Sequence, residues 1–167
     1  VATKDRVLGT EEEGFLDMFD TLDAERALAA ATATGITQAC LEASVRYARE
    51  RVQFGRPIGS FQFVQGMLAE MAANLEVART FAHKVVWLCE QGKKVTREAA
   101  MAKLYCSEVM HRCAHRAVQL HGGYGLMKDF RVERLYRDQR LLEIGEGASE
   151  ILRIVIARNI GVAGKGM

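Results

Sequence analysis

The sequence predicts an all-α fold, an up-and-down bundle of four to five long helices. Three observations carry that expectation. A single proline stands among 167 residues, and proline is the residue that a helix interior excludes, because it lacks an N–H and clashes with the preceding turn. Apolar side chains recur every three or four positions over long stretches. Alternating runs of the kind that mark strands are weak throughout.

The elements follow in order. Residues 1–20 carry two glycines and an acidic run without a sustained period, and read as an irregular segment; residues 21–167 form the bundle domain. From 23 to about 51 an alanine-rich stretch has high helix propensity, with Ala27, Leu28, Ala31, Gly35, Ala39 and Val45 assigned to one side. Gly55, Pro57 and Gly59 break it. The clearest amphipathic helix comes next. Val64, Met67, Leu68, Met71, Leu75, Ala78, Phe81, Ala82, Val85, Leu88 and Cys89 share one face, and Gly92 ends the helix. A further helix runs from Thr96, read as its N-cap, to Leu120, with Met101, Leu104, Tyr105, Val109, Cys113 and Ala117 inward. The run HGGYG at 121–125 stops it. A short helix covers 132–140, and the last begins near Ser149 with Ile151, Leu152, Val155 and Ile156.

Composition narrows the classes. Hydrophobic residues at 49% and charged residues at 26% match an ordinary globular domain and exclude a disordered or collagen-like chain. A net charge of +2 without a basic run of five offers no electrostatic footprint for nucleic acid. Cys40, Cys89, Cys106 and Cys113 are widely spaced without a CxxC pair, and read as buried reduced thiols. No stretch approaches the roughly 18 apolar residues of a membrane span. The chain opens at Val1, which reads as processed or cut from a longer polypeptide.

Four motifs carry candidate chemistry. Glu108 and His111, with His115 a turn further, place metal-ligand types on one helical face, but a di-metal bundle needs that unit twice. Gly145-Glu146-Gly147 sets a carboxylate between residues that permit a tight turn and close ligand approach, just before a helix whose first N–H groups are free. Arg51 to Gly55 ends a helix with a planar guanidinium suited to phosphate. Gln119 to Gly123 offers a glutamine and backbone amides. Taken singly, each is more simply a polar surface feature.

Their order decides more. YARERVQFGRPIGSFQ (47–62), QLHGGYGLMKDF (119–130) and LYRDQRLLEIGEGASEILR (135–153) closely resemble the C-terminal helical domain of acyl-CoA dehydrogenases. Isovaleryl-, short- and medium-chain enzymes are the nearest in kind. The resemblance runs from about 17 to 159 and likens the start of the chain to the exit from that family's middle β-domain. It implies FAD-dependent α,β-dehydrogenation of an acyl-CoA thioester, with electrons passed to an electron-transferring flavoprotein. Glu146 then stands where the medium- and short-chain enzymes hold their catalytic base. Gly147, Asp23 and Arg26 match positions near the substrate. Arg51, Gln53, Phe54, Gln62, Gln119, Gly122 and Gly123 match FAD contacts that reach a neighbouring subunit, which implies a homo-oligomer, a tetramer in the family. Ala148 and Glu150 match a segment against the flavin. The family also implies a bacterial cytoplasmic or mitochondrial-matrix setting.

Two departures stand out. Family members often carry Tyr-Glu-Gly-Thr where this chain has Gly145-Glu146-Gly147-Ala148. Glu25 occupies the place where isovaleryl-CoA dehydrogenase and the long-chain enzymes hold their base, so it is the alternative base. The alternative functions are a same-fold acyl-CoA or nitroalkane oxidase, a non-catalytic oligomerisation module, and a metal-binding bundle.

Overall fold

The computed structural model describes Arg6, Gly9 and residues 13–162, with the side chains at 15–17, 19 and 20 left aside. Most of the segment expected to be irregular lies outside those residues. Its last part does not follow the expectation, because helix α1 spans Gly14–Glu50 and starts nine residues before position 23. Glu13 precedes its first turn, where the helix dipole favours negative charge.

The bundle is all-α, as expected. Three helices are long: α1, α2 (Gln62–Glu90) and α3 (Thr96–His121). The remainder is short: α4 (Arg131–Asp138), α5 (Leu141–Ile144) and α6 (Ser149–Asn159). Helices α1 and α3 run parallel. Near their starts the Thr96 hydroxyl donates to Asp23 Oδ2 at 2.6 Å, and near their ends the Tyr47 ring stacks on His121 at 4.2 Å. Thr96 therefore lies inside α3 and does not cap it; Val95 precedes the helix, without a side-chain cap.

The phase of α2 is as read from sequence, with Met71, Leu75, Ala78, Ala82 and Val85 buried. The phase of α1 differs. Its buried stripe is Ala27, Ala30, Ala33, Thr37, Cys40, Ser44 and Ala48, whereas Leu28 is 67% exposed and Gly35 is exposed. Alanine lies on both sides of this helix, so residue size gave no contrast from which to fix its rotation. Met101, Leu104 and Tyr105 are half-buried and line an open apolar groove of about 360 Å³ with Val77, Phe81 and Ile156.

Where the sequence shows only a break after α1, the chain makes a two-residue hairpin. Strand β1 (Val52–Gln53) pairs antiparallel with β2 (Arg56–Pro57). Phe54 and Gly55 between them have φ of +52° and +78°, the left-handed pair that a type I′ turn requires. At the other break Gly125 lies so close to α3 that a Cβ would meet Val118 O at 2.6 Å, which folds the 122–126 turn back onto the helix.

Cys40, Cys106 and Cys113 are buried free thiols. Burial pushes Cys40 and Cys106 up to about 12 and Cys113 up to about 11, so they stay protonated and unreactive at neutral pH. Among the described residues no helix is long and apolar enough to cross a membrane.

Candidate active site

The turn between α5 and α6 is built by two consecutive left-handed residues, Glu146 at φ +51° and Gly147 at φ +105°. Such backbone is strained for glutamate and persists only where the surroundings impose it. Here two buried cations impose it. Arg26, 5% exposed, donates through Nε to the Glu146 carbonyl at 3.2 Å. Lys103, 1% exposed, donates through Nζ to the Gly147 carbonyl at 2.7 Å. Asp23 braces Arg26 from one turn away, at 3.6 Å. The side chain of Glu146 is treated differently from its backbone: among the described residues, neither its buried Oε2 nor the neighbouring buried Ser149 hydroxyl has a hydrogen-bond partner. Asp23, Arg26, Glu146 and Gly147 thus meet at one end of the bundle. Glu25 is exposed on α1.

Burial pushes the Lys103 ammonium below the ordinary lysine range; Glu146 and Glu143 act against that, and Arg26 with it. Beneath the turn, Gln139 Nε2 lies 3.1 Å from His111 Nδ1, and Glu143 Oε2 lies 3.7 Å from the same nitrogen. Glu108 turns instead to Arg153 at 2.5 Å. The Glu-x-x-His pair therefore serves two separate polar contacts.

The second group of expected residues converges at the opposite end. Arg51, Gln53, Gln119, Gly122 and Gly123 line one open cleft of about 390 Å³ with Tyr47, His121 and Tyr124. The Arg51 guanidinium lies 5.2 Å from the centre of the Tyr124 ring. His121 Nδ1–H donates to Ala117 O at 2.7 Å, and burial pushes this imidazole below the ordinary histidine range, the hydrogen bond opposing. Phe54, 91% exposed at the hairpin tip, and Gln62, exposed at the start of α2, stand beside this cleft without lining it. Ala148 and Glu150 belong to the other end, at the start of α6. From Arg26 to Tyr47 the separation along α1 is ~32 Å at 1.5 Å per residue.

Comparison with known proteins gives this geometry a family. Residues 12–161 match the family described as acyl-CoA dehydrogenase, C-terminal domain. The chain belongs to the acyl-CoA dehydrogenase family. It is 50% identical over 154 residues to the probable acyl-CoA dehydrogenase YngJ of Bacillus subtilis, covering 92% of this chain and 40% of that protein. It is 41% identical to the caffeyl-CoA reductase-Etf complex subunit CarC of Acetobacterium woodii, covering 92% and 41%. Butyryl-CoA dehydrogenase from Megasphaera elsdenii superposes with a TM-score of 0.92 at 37% identity, covering 95% of this chain and 41% of that one. The chain thus spans about 40% of the length of these acyl-CoA dehydrogenase relatives.

Within this acyl-CoA dehydrogenase domain, Lys103 is the residue that sequence reasoning missed. A signal was present: Lys103 falls in phase with Ala99, Ala100, Ala102, Cys106, Ser107 and Met110, the buried stripe of α3. A charge in that phase is either an error of register or a group with a buried partner.

Proposed function

We propose that this chain is the base-bearing part of an FAD-dependent enzyme that removes the α- and β-hydrogens of an acyl-CoA thioester. The observation that carries this reading is the unpartnered, buried Oε2 of Glu146 in a turn whose carbonyls are both held. A carboxylate fixed by its backbone yet unpartnered at Oε2 is arranged to accept a proton from something placed against it. In the reaction Glu146 takes the α-proton; the electron pair of that C–H bond becomes the α,β double bond as the β-hydrogen leaves with its own pair. FAD, when bound, supplies the acceptor for that hydride. Glu25, exposed on α1 and next to Arg26, is the alternative base.

The residues of the far cleft fit a dinucleotide. Among the described residues the Arg51, Gln53 and Gln119 side chains make no hydrogen bond within the chain and line the cleft, and a guanidinium with amides is the donor set that diphosphate and ribose require. Since ~32 Å of α1 separates this cleft from Glu146, the two ends serve different copies of the active site, which supports a homo-oligomer. The open groove of Val77, Phe81, Met101 and Ile156 supports the same reading. Electron transfer to an electron-transferring flavoprotein is supported by the relative named as part of an Etf complex. Gly145 has φ −63° and ψ 161°, backbone open to any residue, and a Cβ there would meet only Leu141 O at 3.5 Å. The fold does not require this glycine, so it leaves room beside Glu146 for a branched or bulky acyl group.

The test is Glu146→Gln in the full-length protein, with anaerobic addition of acyl-CoAs while flavin absorbance is followed. The expected result is retained FAD with bleaching slowed by about 10²–10⁴-fold. Unimpaired bleaching in that variant, with loss in Glu25→Gln, assigns the base to Glu25. A full-length protein that takes up no FAD supports the oligomerisation module instead, and oxygen consumption during turnover supports an oxidase.

A further inference from the structure

Lys103 poses a physical problem. It is the largest fully buried side chain among the described residues, and a methionine would fill the same length without the cost of removing an ammonium from water. Burial of a cation is retained only where something depends on it or neutralises it, and among the described residues Lys103 makes one hydrogen bond, to the Gly147 carbonyl. That carbonyl belongs to the residue after Glu146, in the more extreme of the two left-handed conformations. Arg26 holds the preceding carbonyl from α1. Two successive peptides, Glu146–Gly147 and Gly147–Ala148, are therefore held from two different helices, and they bracket the positive-φ backbone that carries the Glu146 side chain.

We propose that Lys103 is a positioning residue for proton abstraction: its ammonium pins the Gly147 carbonyl and so aims the Glu146 carboxylate at the acyl α-carbon. The inference rests on Glu146 being the base. Lys103 has no role in holding substrate, because it reaches the turn from beneath, through the backbone. The charged groups acting on it are Glu146 in the turn, Arg26 on α1 and Glu143 on α5.

The experiment uses the full-length FAD-loaded protein with butyryl-CoA and isovaleryl-CoA as probes. Lys103→Met, Lys103→Gln and Lys103→Arg are compared with the unaltered protein. The readouts are the limiting rate of flavin bleaching, probe affinity and flavin content. Lys103→Met is expected to lower the limiting rate about 100-fold, the cost of roughly 1 Å of misplacement, with flavin content and probe affinity unchanged. Lys103→Arg keeps a donor at this position and is expected to recover part of the rate. A rate in Lys103→Met equal to the unaltered protein overturns the proposal, as does a slower rate accompanied by lowered flavin content and weakened probe affinity with no recovery in Lys103→Arg, which marks a merely structural lysine. Should no variant fold, a crystal structure of the unaltered FAD-loaded protein decides: Nζ within about 3.5 Å of Gly147 O upholds the proposal and a longer separation overturns it. Failure of the base reading looks different, because the Glu146→Gln protein would then bleach as fast as the unaltered one.

Discussion

At the Glu146 end of the bundle the cations are committed inward: Arg26 and Lys103 are buried and spend their donors on backbone carbonyls of the chain itself. At the Gly123 end the donors face outward, with Arg51, Gln53 and Gln119 lining an open cleft. One end is preorganised and strained, and the other is permissive. The difference follows from the tasks proposed for them. A base must be held within a fraction of an ångström of the reacting carbon, so its turn is over-determined. A cleft that grips a diphosphate needs donors free to meet the ligand, and it tolerates adjustment. The contrast teaches that the two buried cations serve the geometry of one turn, whereas the donors of the cleft are left for a partner.

Three substitutions break or sharpen the contrast. The largest effect is expected from Arg51→Ala. Loss of a charged donor should weaken FAD binding to the full-length protein by about 10- to 100-fold, read by flavin-fluorescence titration, while the melting temperature without FAD stays unchanged. A melting temperature that falls instead would show that the cleft is part of the core and that the two ends do not differ in kind. Next comes a pair of glycines. Gly147→Ala places a Cβ at φ +105° with Leu152 Cδ2 at 3.5 Å and Arg26 Nη2 at 3.7 Å, and should cost about 1–3 kcal/mol in urea denaturation. Gly123→Ala meets nothing within 4 Å and should leave the denaturation midpoint in place. Equal costs at the two positions would remove the distinction between strained and permissive ends.

The smallest effect concerns acid. Burial holds His121 below the ordinary histidine range, so over the interval beneath about pH 6.5 the unfolded chain binds a proton that the folded chain does not. Stability should therefore fall as pH drops through that interval. In His121→Phe, which keeps a ring against Tyr47, this acid limb of the denaturation midpoint should disappear. An unchanged limb would place the titration elsewhere.

Legibility in the sequence followed contrast between residue types. Helix α2 was readable to the residue because large apolar groups alternate with polar ones. Helix α1 was readable as a helix but not in its rotation, because Ala24, Ala27, Ala29, Ala30, Ala31 and Ala33 surround the axis. The residues of the far cleft were readable as a motif and do converge, Phe54 and Gln62 standing beside them. Arg26 was placed near the substrate from sequence; the structure gives it to the Glu146 carbonyl, a contact across 120 residues that no local pattern encodes.

By itself, the sequence determined the helical class, through period and residue type, and the family, through the resemblance of its three motifs, which also pointed to the candidate base and the cleft residues. Only the tertiary structure decided that Lys103 is buried, that two cations from separate helices hold two successive peptides, and that the candidate base and the cleft lie at opposite ends of α1. The reason is physical. Local preferences act over a few residues, whereas the burial of a charge is settled by which distant backbone oxygen reaches it when the helices come together.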